Sequence, residues 1–378
     1  MKKTQWHSYS YKGVSKGCQQ CVQGKKLVLF ATGLCKKNCF YCSISDYKHK
    51  KDVIFANERP VKDIKDIIKE AKINQAEGAG ITGGDPLIVI ERVCEYITLL
   101  KKQFGKQFHI HLYSPLESIN KINLDKLQKA GLDELRVHPT IEDDKNWKLL
   151  ELASNYEFSY GMEIPVIPGF EEQTKKLISY AQKYIKFLNL NQLERADNSF
   201  NTINQHGLKT LDNGSYAIQG SEEMALDLLE YSEKHFPNLK VHYCTARLKD
   251  RVQLGNRIKL RAKGIAHSFD KITSDGTLIR GVIYLPGLEP GKKYKERINA
   301  VKKEQFIEQL SQIQDAIGLK DTFLDLNLIR ILCSAKKIKR KVHEITALGV
   351  IPATIEEYPT YDSFLVEVEF LSKLHKGV

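Results

Sequence analysis

Residues 26–42 read KLVLFATGLCKKNCFYC. KLVLFATGLC (26–35) is a short apolar run with a turn after it, the pattern of a buried strand, and three cysteines crowd its end. Downstream, VKDIKDIIKEAKIN (61–74) places apolar residues at 61, 64, 67 and 68, which is helical spacing. AGITGGDP (79–86) is a second short strand, LIVIERVCEYITLLKKQ (87–103) a helix, FHIHLYS (108–114) an alternating strand, and LESINKINLDKLQKA (116–130) a helix stopped by Gly131. ELRVHPT (134–140), YGMEIPVIPG (160–169) and FLNLNQLE (187–194) are three further strands, with helices expected over 142–155 and 171–185. Six strand–helix steps predict an α/β fold whose parallel sheet is covered by helices. Right-handed crossovers curl such a sheet in one direction, so the expected architecture is a partial (β/α)6 barrel. Chemistry is then expected at the C-terminal strand ends.

The chain has 378 residues, long enough for one large domain and a smaller one. The expected division is a short N-terminal segment (1–25), the partial barrel (26–245) and a C-terminal α+β domain (246–378). Residues 195–220 are polar, as a long functional loop or connection would be. LKVHYCT (239–245) is a strand that closes the barrel domain. Beyond it a basic helix, a hairpin turning at Ser274-Asp275-Gly276, a helix over 293–316 and the strands LIRILCSA and FLVEVEFL are expected. The segment Glu356-Glu357-Tyr358-Pro359-Thr360 matches no pattern. The basic start is followed by no apolar run, and no stretch is long and apolar enough for a membrane helix, so a cytoplasmic protein without membrane partners is expected.

Net charge is +12. Between Val241 and Val350 there are 22 Lys and Arg against 11 Asp and Glu, so nearly all the excess lies there. A basic domain steers anionic partners such as RNA, or is simply a solvated lysine-rich face; the run Lys336–Lys341 fits either description.

Five of the eight cysteines lie between 18 and 42, a clustering that suits metal or redox chemistry better than disulfides. Cys35-x-x-x-Cys39-x-x-Cys42 offers three thiolates on one loop, enough for three corners of a 4Fe–4S cube. The fourth iron then has no ligand nearby in sequence, the open position that distinguishes a catalytic metal site from a closed structural one. A zinc loop is the rival, although zinc sites more often show C-x-x-C pairs and need a fourth ligand.

This pattern resembles the C-x-x-x-C-x-Φ-C motif of the radical S-adenosylmethionine (SAM) superfamily, with Tyr41 at the aromatic position. The resemblance implies a 4Fe–4S cluster on Cys35, Cys39 and Cys42 whose unique iron chelates SAM. It also implies reductive cleavage of SAM to methionine and a 5′-deoxyadenosyl radical, driven by a reductant such as a ferredoxin or flavodoxin. Thr82-Gly83-Gly84-Asp85 resembles the family's GGEP-type motif that contacts the SAM amino group, with Asp85 where Glu is commoner. Ile164–Gly169 matches the region that packs on adenine, which brings in Ile167 and Gly169. The layout looks closest to the pyruvate formate-lyase-activating-enzyme group, and to archaeal proteins related to that activase.

Arg136 and His138 share one strand face. Arg136 is expected at the SAM carboxylate, because a guanidinium fork suits carboxylates, and His138 at proton transfer; His109 and His111 alternate similarly. Cys18-Gln-Gln-Cys21, with Cys244 as a third thiolate and His242 or a substrate as fourth ligand, defines a possible second site for iron–sulfur or zinc. Cys94 and Cys333 are expected in the core. The expected function is radical modification of an unidentified substrate. The rivals are modification of tRNA or rRNA, modification of a protein or peptide, and a non-catalytic zinc-containing nucleic-acid-binding protein.

Overall fold

The computed structural model describes residues 1–212 and 215–372, without the side chains of Asp197, Phe200 and Asn201. The chain forms two compact units, Met1–Arg257 and Ile258–Val378. The division falls later than the sequence suggests, inside a helix, and the N-terminal segment belongs to the first unit.

In the first unit the strands are β1 (Lys2–Lys3), β2 (Tyr9–Tyr11), β3 (Lys26–Phe30), β4 (Phe55–Ala56), β5 (Arg59–Pro60), β6 (Gly78–Thr82), β7 (His109–Pro115), β8 (Glu134–His138), β9 (Ser159–Val166), β10 (Phe187–Gln192) and β11 (Lys240–Cys244). The helices are α1 (Lys16–Val22), α2 (Ile64–Ile73), α3 (Ile90–Phe104), α4 (Lys121–Ala130), α5 (Glu171–Ala181), α6 (Phe200–Gln205), α7 (Ser221–His235) and α8 (Gly255–Ile265), which crosses the boundary. One sheet runs β1-β2-β11-β10-β9-β8-β7-β6-β3-β4-β5. Along the sheet from β3 to β11 every pairing is parallel, and β11, the strand expected over 239–245, joins the six before it. The segment expected as a helix over 142–155 is a 3-10 helix, Trp147–Ala153.

Alternation gives the two sheet faces opposite chemistry. Leu27, Leu29, Ile81, Ile110, Leu112, Leu135 and Val137 are fully buried and join the helices in one core. The other alternates carry polar groups, among them Lys26, His109, His111, Glu134, Arg136 and Asn189, all buried as well. A polar inner face without water is costly unless its groups pair with each other.

Helix α1 lies against that inner face. It packs on β3, β6 and β7, yet Cys18 Sγ accepts a hydrogen bond from Asn189 Nδ2 of β10 at 3.4 Å. Flat strands stand about 4.8 Å apart, and a helix of 7 residues is only about 10 Å long. Contacts from β3 to β10 therefore require the sheet to curl around α1, as a partial barrel does. Gly17 makes room for the approach: a Cβ there would collide with Arg136, His111 and Glu134.

The second unit holds β12 (Lys271–Ile272), β13 (Leu278–Tyr284), β14 (Phe323–Asp325), β15 (Arg330–Cys333), β16 (Ile351–Glu357) and β17 (Leu365–Phe370), with α9 (Tyr294–Ala300), α10 (Ile307–Ala316), α11 (Ala335–Arg340) and α12 (Val342–Ala347). Its antiparallel sheet runs β14-β15-β13-β16-β17, and β12 pairs with β13. β16 was not expected, because Pro352 and the acidic pair hide its pattern. Yet it occupies a central position, and Glu357 at its end receives the buried Arg280 and Arg330.

Candidate functional site

The cysteine loop leaves β3 and is fixed at its base by backbone bonds. Ala31 N donates to Thr82 O at 2.8 Å, Gly84 N to Thr32 O at 2.9 Å and Asp85 N to Leu34 O at 2.7 Å. Gly84 is needed for this approach, since a Cβ would collide with Leu34 O and stand 2.8 Å from Gly33 O. At the loop's far side Arg92 grips Asp52 through both nitrogens, at 2.6 and 2.8 Å, and Thr32 donates to Asp52 at 2.9 Å.

Cys35, Cys39 and Cys42 all face one cavity of about 260 Å³, with Tyr41, Gly83, Gly84 and His138 also in its wall. All three thiols are free of disulfides and half-buried. Burial pushes the Cys35 and Cys39 thiols above their ordinary value. Lys37 sits in the same wall and donates to Glu117 at 2.7 Å, while Thr140 donates to that carboxylate at 2.7 Å. Burial works to raise Glu117, but these bonds outweigh it and hold the carboxyl below its usual range.

Tyr41 and His138 form a chain. His138 Nδ1 lies 3.1 Å from Glu163 O, which can only accept, so Nδ1 carries the proton. Nε2 then accepts from the Tyr41 hydroxyl at 2.8 Å. Burial lowers the His138 pKa and keeps the ring neutral. His138 thereby anchors the aromatic residue between Cys39 and Cys42.

The other expected contacts are distributed differently. Thr82 and Asp85 do not line this cavity. Asp85 is 2% exposed and accepts from Leu87 N at 3.1 Å, Ser114 Oγ at 3.3 Å and Ser118 Oγ, capping the turn after β6. Ile167 is buried in the helix-side core, and Gly169 lies in open space with φ of 91°. Arg136, expected at a SAM carboxylate, has no donor left for one. Its five N–H groups are matched by Glu134 Oε1 at 2.6 Å, Tyr113 OH at 2.9 Å, Glu163 Oε2 at 2.8 Å, Ser15 Oγ at 2.9 Å and Cys18 Sγ at 3.5 Å. It organises the inner face instead, where Asn189 and Asn191 each donate to Glu163 at 2.9 Å.

The polar stretch after β10 proves to be a brace. Asn198 Nδ2 donates to Ile44 O, Thr202 Oγ1 donates to Phe40 O at 2.6 Å, and the His206 ring stacks on Phe40 at 3.9 Å. Sequence reading found no role for these residues; only polarity and loop length marked the segment. Nearby, at the ends of β10 and β11, a polar cavity of about 520 Å³ is lined by Lys3, His7, Gln192, Arg247 and Arg251 among others.

Residues 29–188 match the model of the radical SAM superfamily. A Methanocaldococcus jannaschii protein is 38% identical over 361 residues, covering 93% of this chain and 91% of that protein. The chain belongs to the radical SAM superfamily and is a radical SAM enzyme. The M. jannaschii relative is provisionally named a glycyl-radical enzyme activating enzyme. An uncharacterised protein from the same organism is 26% identical over 185 residues, covering 43% of this chain and 62% of that one. Among solved structures, Streptococcus suis SuiB bound to S-adenosylmethionine aligns at 15% identity and a TM-score of 0.41, over 58% of this chain and 50% of that one. Coproporphyrinogen III oxidase (HemN) from Escherichia coli, described as a radical SAM enzyme, aligns at 11% identity and a TM-score of 0.38, over 91% and 95%. Membership implies a 4Fe–4S cluster and SAM. Among the described residues, no helix is long and apolar enough to cross a membrane.

Proposed function

We propose that Cys35, Cys39 and Cys42 are the ligands of the 4Fe–4S cluster and that the chain is an activase-type enzyme acting on a glycine of a polypeptide partner. The observation that carries the cluster assignment is the convergence of all three free thiols on one cavity beside Gly83 and Gly84. When bound, the cluster supplies an electron to SAM, which splits into methionine and a 5′-deoxyadenosyl radical able to abstract a hydrogen atom. The protein's own part is placement. Tyr41, held by His138, fixes the loop between Cys39 and Cys42, and Gly83 and Gly84 keep side-chain bulk away from the cavity wall. Lys37, paired with Glu117, places a positive charge beside the thiolates, where it offsets their negative charge. The polypeptide substrate rests on the relative's name, and the polar cavity past β10 and β11 offers room for a substrate segment. An external reductant of the ferredoxin or flavodoxin type completes the reaction.

Anaerobically reconstituted protein given SAM and dithionite is expected to form 5′-deoxyadenosine, and Cys39→Ala to form none. Full iron loading without product, in the presence of a recombinant glycyl-radical enzyme, contradicts the activase assignment. An organic radical appearing on that partner by electron paramagnetic resonance supports it.

A further inference from the structure

Four potential ligands lie outside the Cys35 cavity and take no part in the chemistry above. Cys18 and Cys21 sit at i and i+3 of α1, on one helix face. His242 and Cys244 alternate on β11, so both point to the same side of the sheet. That side is the interior: His242 and Cys244 stand beside Asn189 and Asn191 of β10, which donate to Cys18 and to Glu163. Cys18, His242 and Cys244 are 6%, 2% and 9% exposed.

Of these thiols Cys21 borders a cavity, and Cys244 is tied to its wall. Cys21, Lys26, Lys249 and Gln253 line a cavity of about 240 Å³, and Gln253 Nε2 reaches Cys244 Sγ at 3.7 Å. Val22, next to Cys21, packs in one small cluster with Cys244 and Leu248. Cys18 Sγ accepts from Arg136 Nη2 at 3.5 Å and from Asn189 Nδ2 at 3.4 Å. His242 Nε2 pairs with Ser8 Oγ at 3.3 Å, but Nδ1 is buried without a hydrogen-bond partner. A buried unpaired ring nitrogen asks for a missing partner.

Sulfur with imidazole is a soft donor set that selects zinc or iron–sulfur. A zinc ion holds all its ligands within about 2.0–2.3 Å of one point. Each ligand of a 4Fe–4S cube binds a different iron and stands further from the next. Among the described residues no three His, Cys, Asp or Glu side chains surround one ion-sized position, and this holds for Cys35, Cys39 and Cys42 as much as for the second set. We propose that Cys18, Cys21 and Cys244 hold a second 4Fe–4S cluster, with His242 Nδ1 placed for its fourth iron.

Iron and acid-labile sulfide, counted per chain after anaerobic reconstitution, test this. Wild-type protein is expected to bind about eight of each, and a Cys35/Cys39/Cys42→Ser variant about four. The variant's count is independent of the first cluster, so loss of that assignment leaves this one standing. A Cys18/Cys21/Cys244→Ser variant is expected to fall to about four, and if it fails to fold the first two counts still decide. Wild-type loading that stops at about four irons overturns the proposal. So does a folded Cys35/Cys39/Cys42→Ser variant holding no iron, or holding zinc in its place.

Discussion

Arg136 shows what a residue's neighbours add to its sequence position. Strand spacing places it correctly on the inner face, but its partners come from α1, β7, β8 and β9, which no local pattern connects. Each of its N–H groups has an acceptor, so its guanidinium is a hub between Glu134 and Glu163. Removing one member of a buried charge cluster typically costs about 3–5 kcal/mol. Arg136→Met is expected to destabilise the first unit by about that much, read as a lower urea midpoint at unchanged slope. His138 was legible as an inward-facing histidine, but its role in anchoring Tyr41 depends on the carbonyl of Glu163 one strand over. Ile167 and Asp85 were legible only as parts of motifs; burial assigns one to the core and the other to a cap.

At the scale of elements, the parallel strands and their covering helices follow from alternation and helical spacing, and the cysteine spacing marks the loop that matters. What alternation could not reveal is how that loop is held. Asp52 is one clamp. The Arg92 hydrogen bonds, with Thr32 assisting and burial opposing, hold its carboxyl below the usual value. An unfolded aspartate titrates near 3.9. A folded value below that makes the clamp's contribution complete above about pH 4, and it fades as pH falls through the depressed value. Amide exchange at Gly33 and Lys50, whose N–H groups bond to Lys51 O and Gly33 O at 2.9 and 2.8 Å, should therefore show protection, corrected for intrinsic rate, that is level from about pH 7 to 5 and falls below about 4. Asp52→Asn should start lower and lose that fall.

Across the whole molecule the two units differ in the chemistry at their centres. The first surrounds a polar interior; the second is an antiparallel sheet in which the buried Arg280 and Arg330 meet at Glu357. That residue belongs to the segment for which sequence patterns offered no account, because its partners Arg280 and Arg330 lie on strands 77 and 27 residues away. Glu357→Gln leaves two buried guanidinium groups short of one negative charge. It is expected to lower the stability of the second unit by about 3–5 kcal/mol, measured as faster hydrogen exchange in β13 with little change in β6 to β9.

The brace on the cysteine loop also has a bearing on how the protein is made. The hydrogen bonds from Asn198 and Thr202 reach back over 154 and 162 residues. A ribosome adding about 5–20 residues per second takes about 10–30 s to travel that far. Through that interval Cys35, Cys39 and Cys42 are exposed on a nascent chain that has not yet acquired the groups that restrain them. If the proposed cluster sits on these thiols, the nascent chain offers them for loading before the brace has formed.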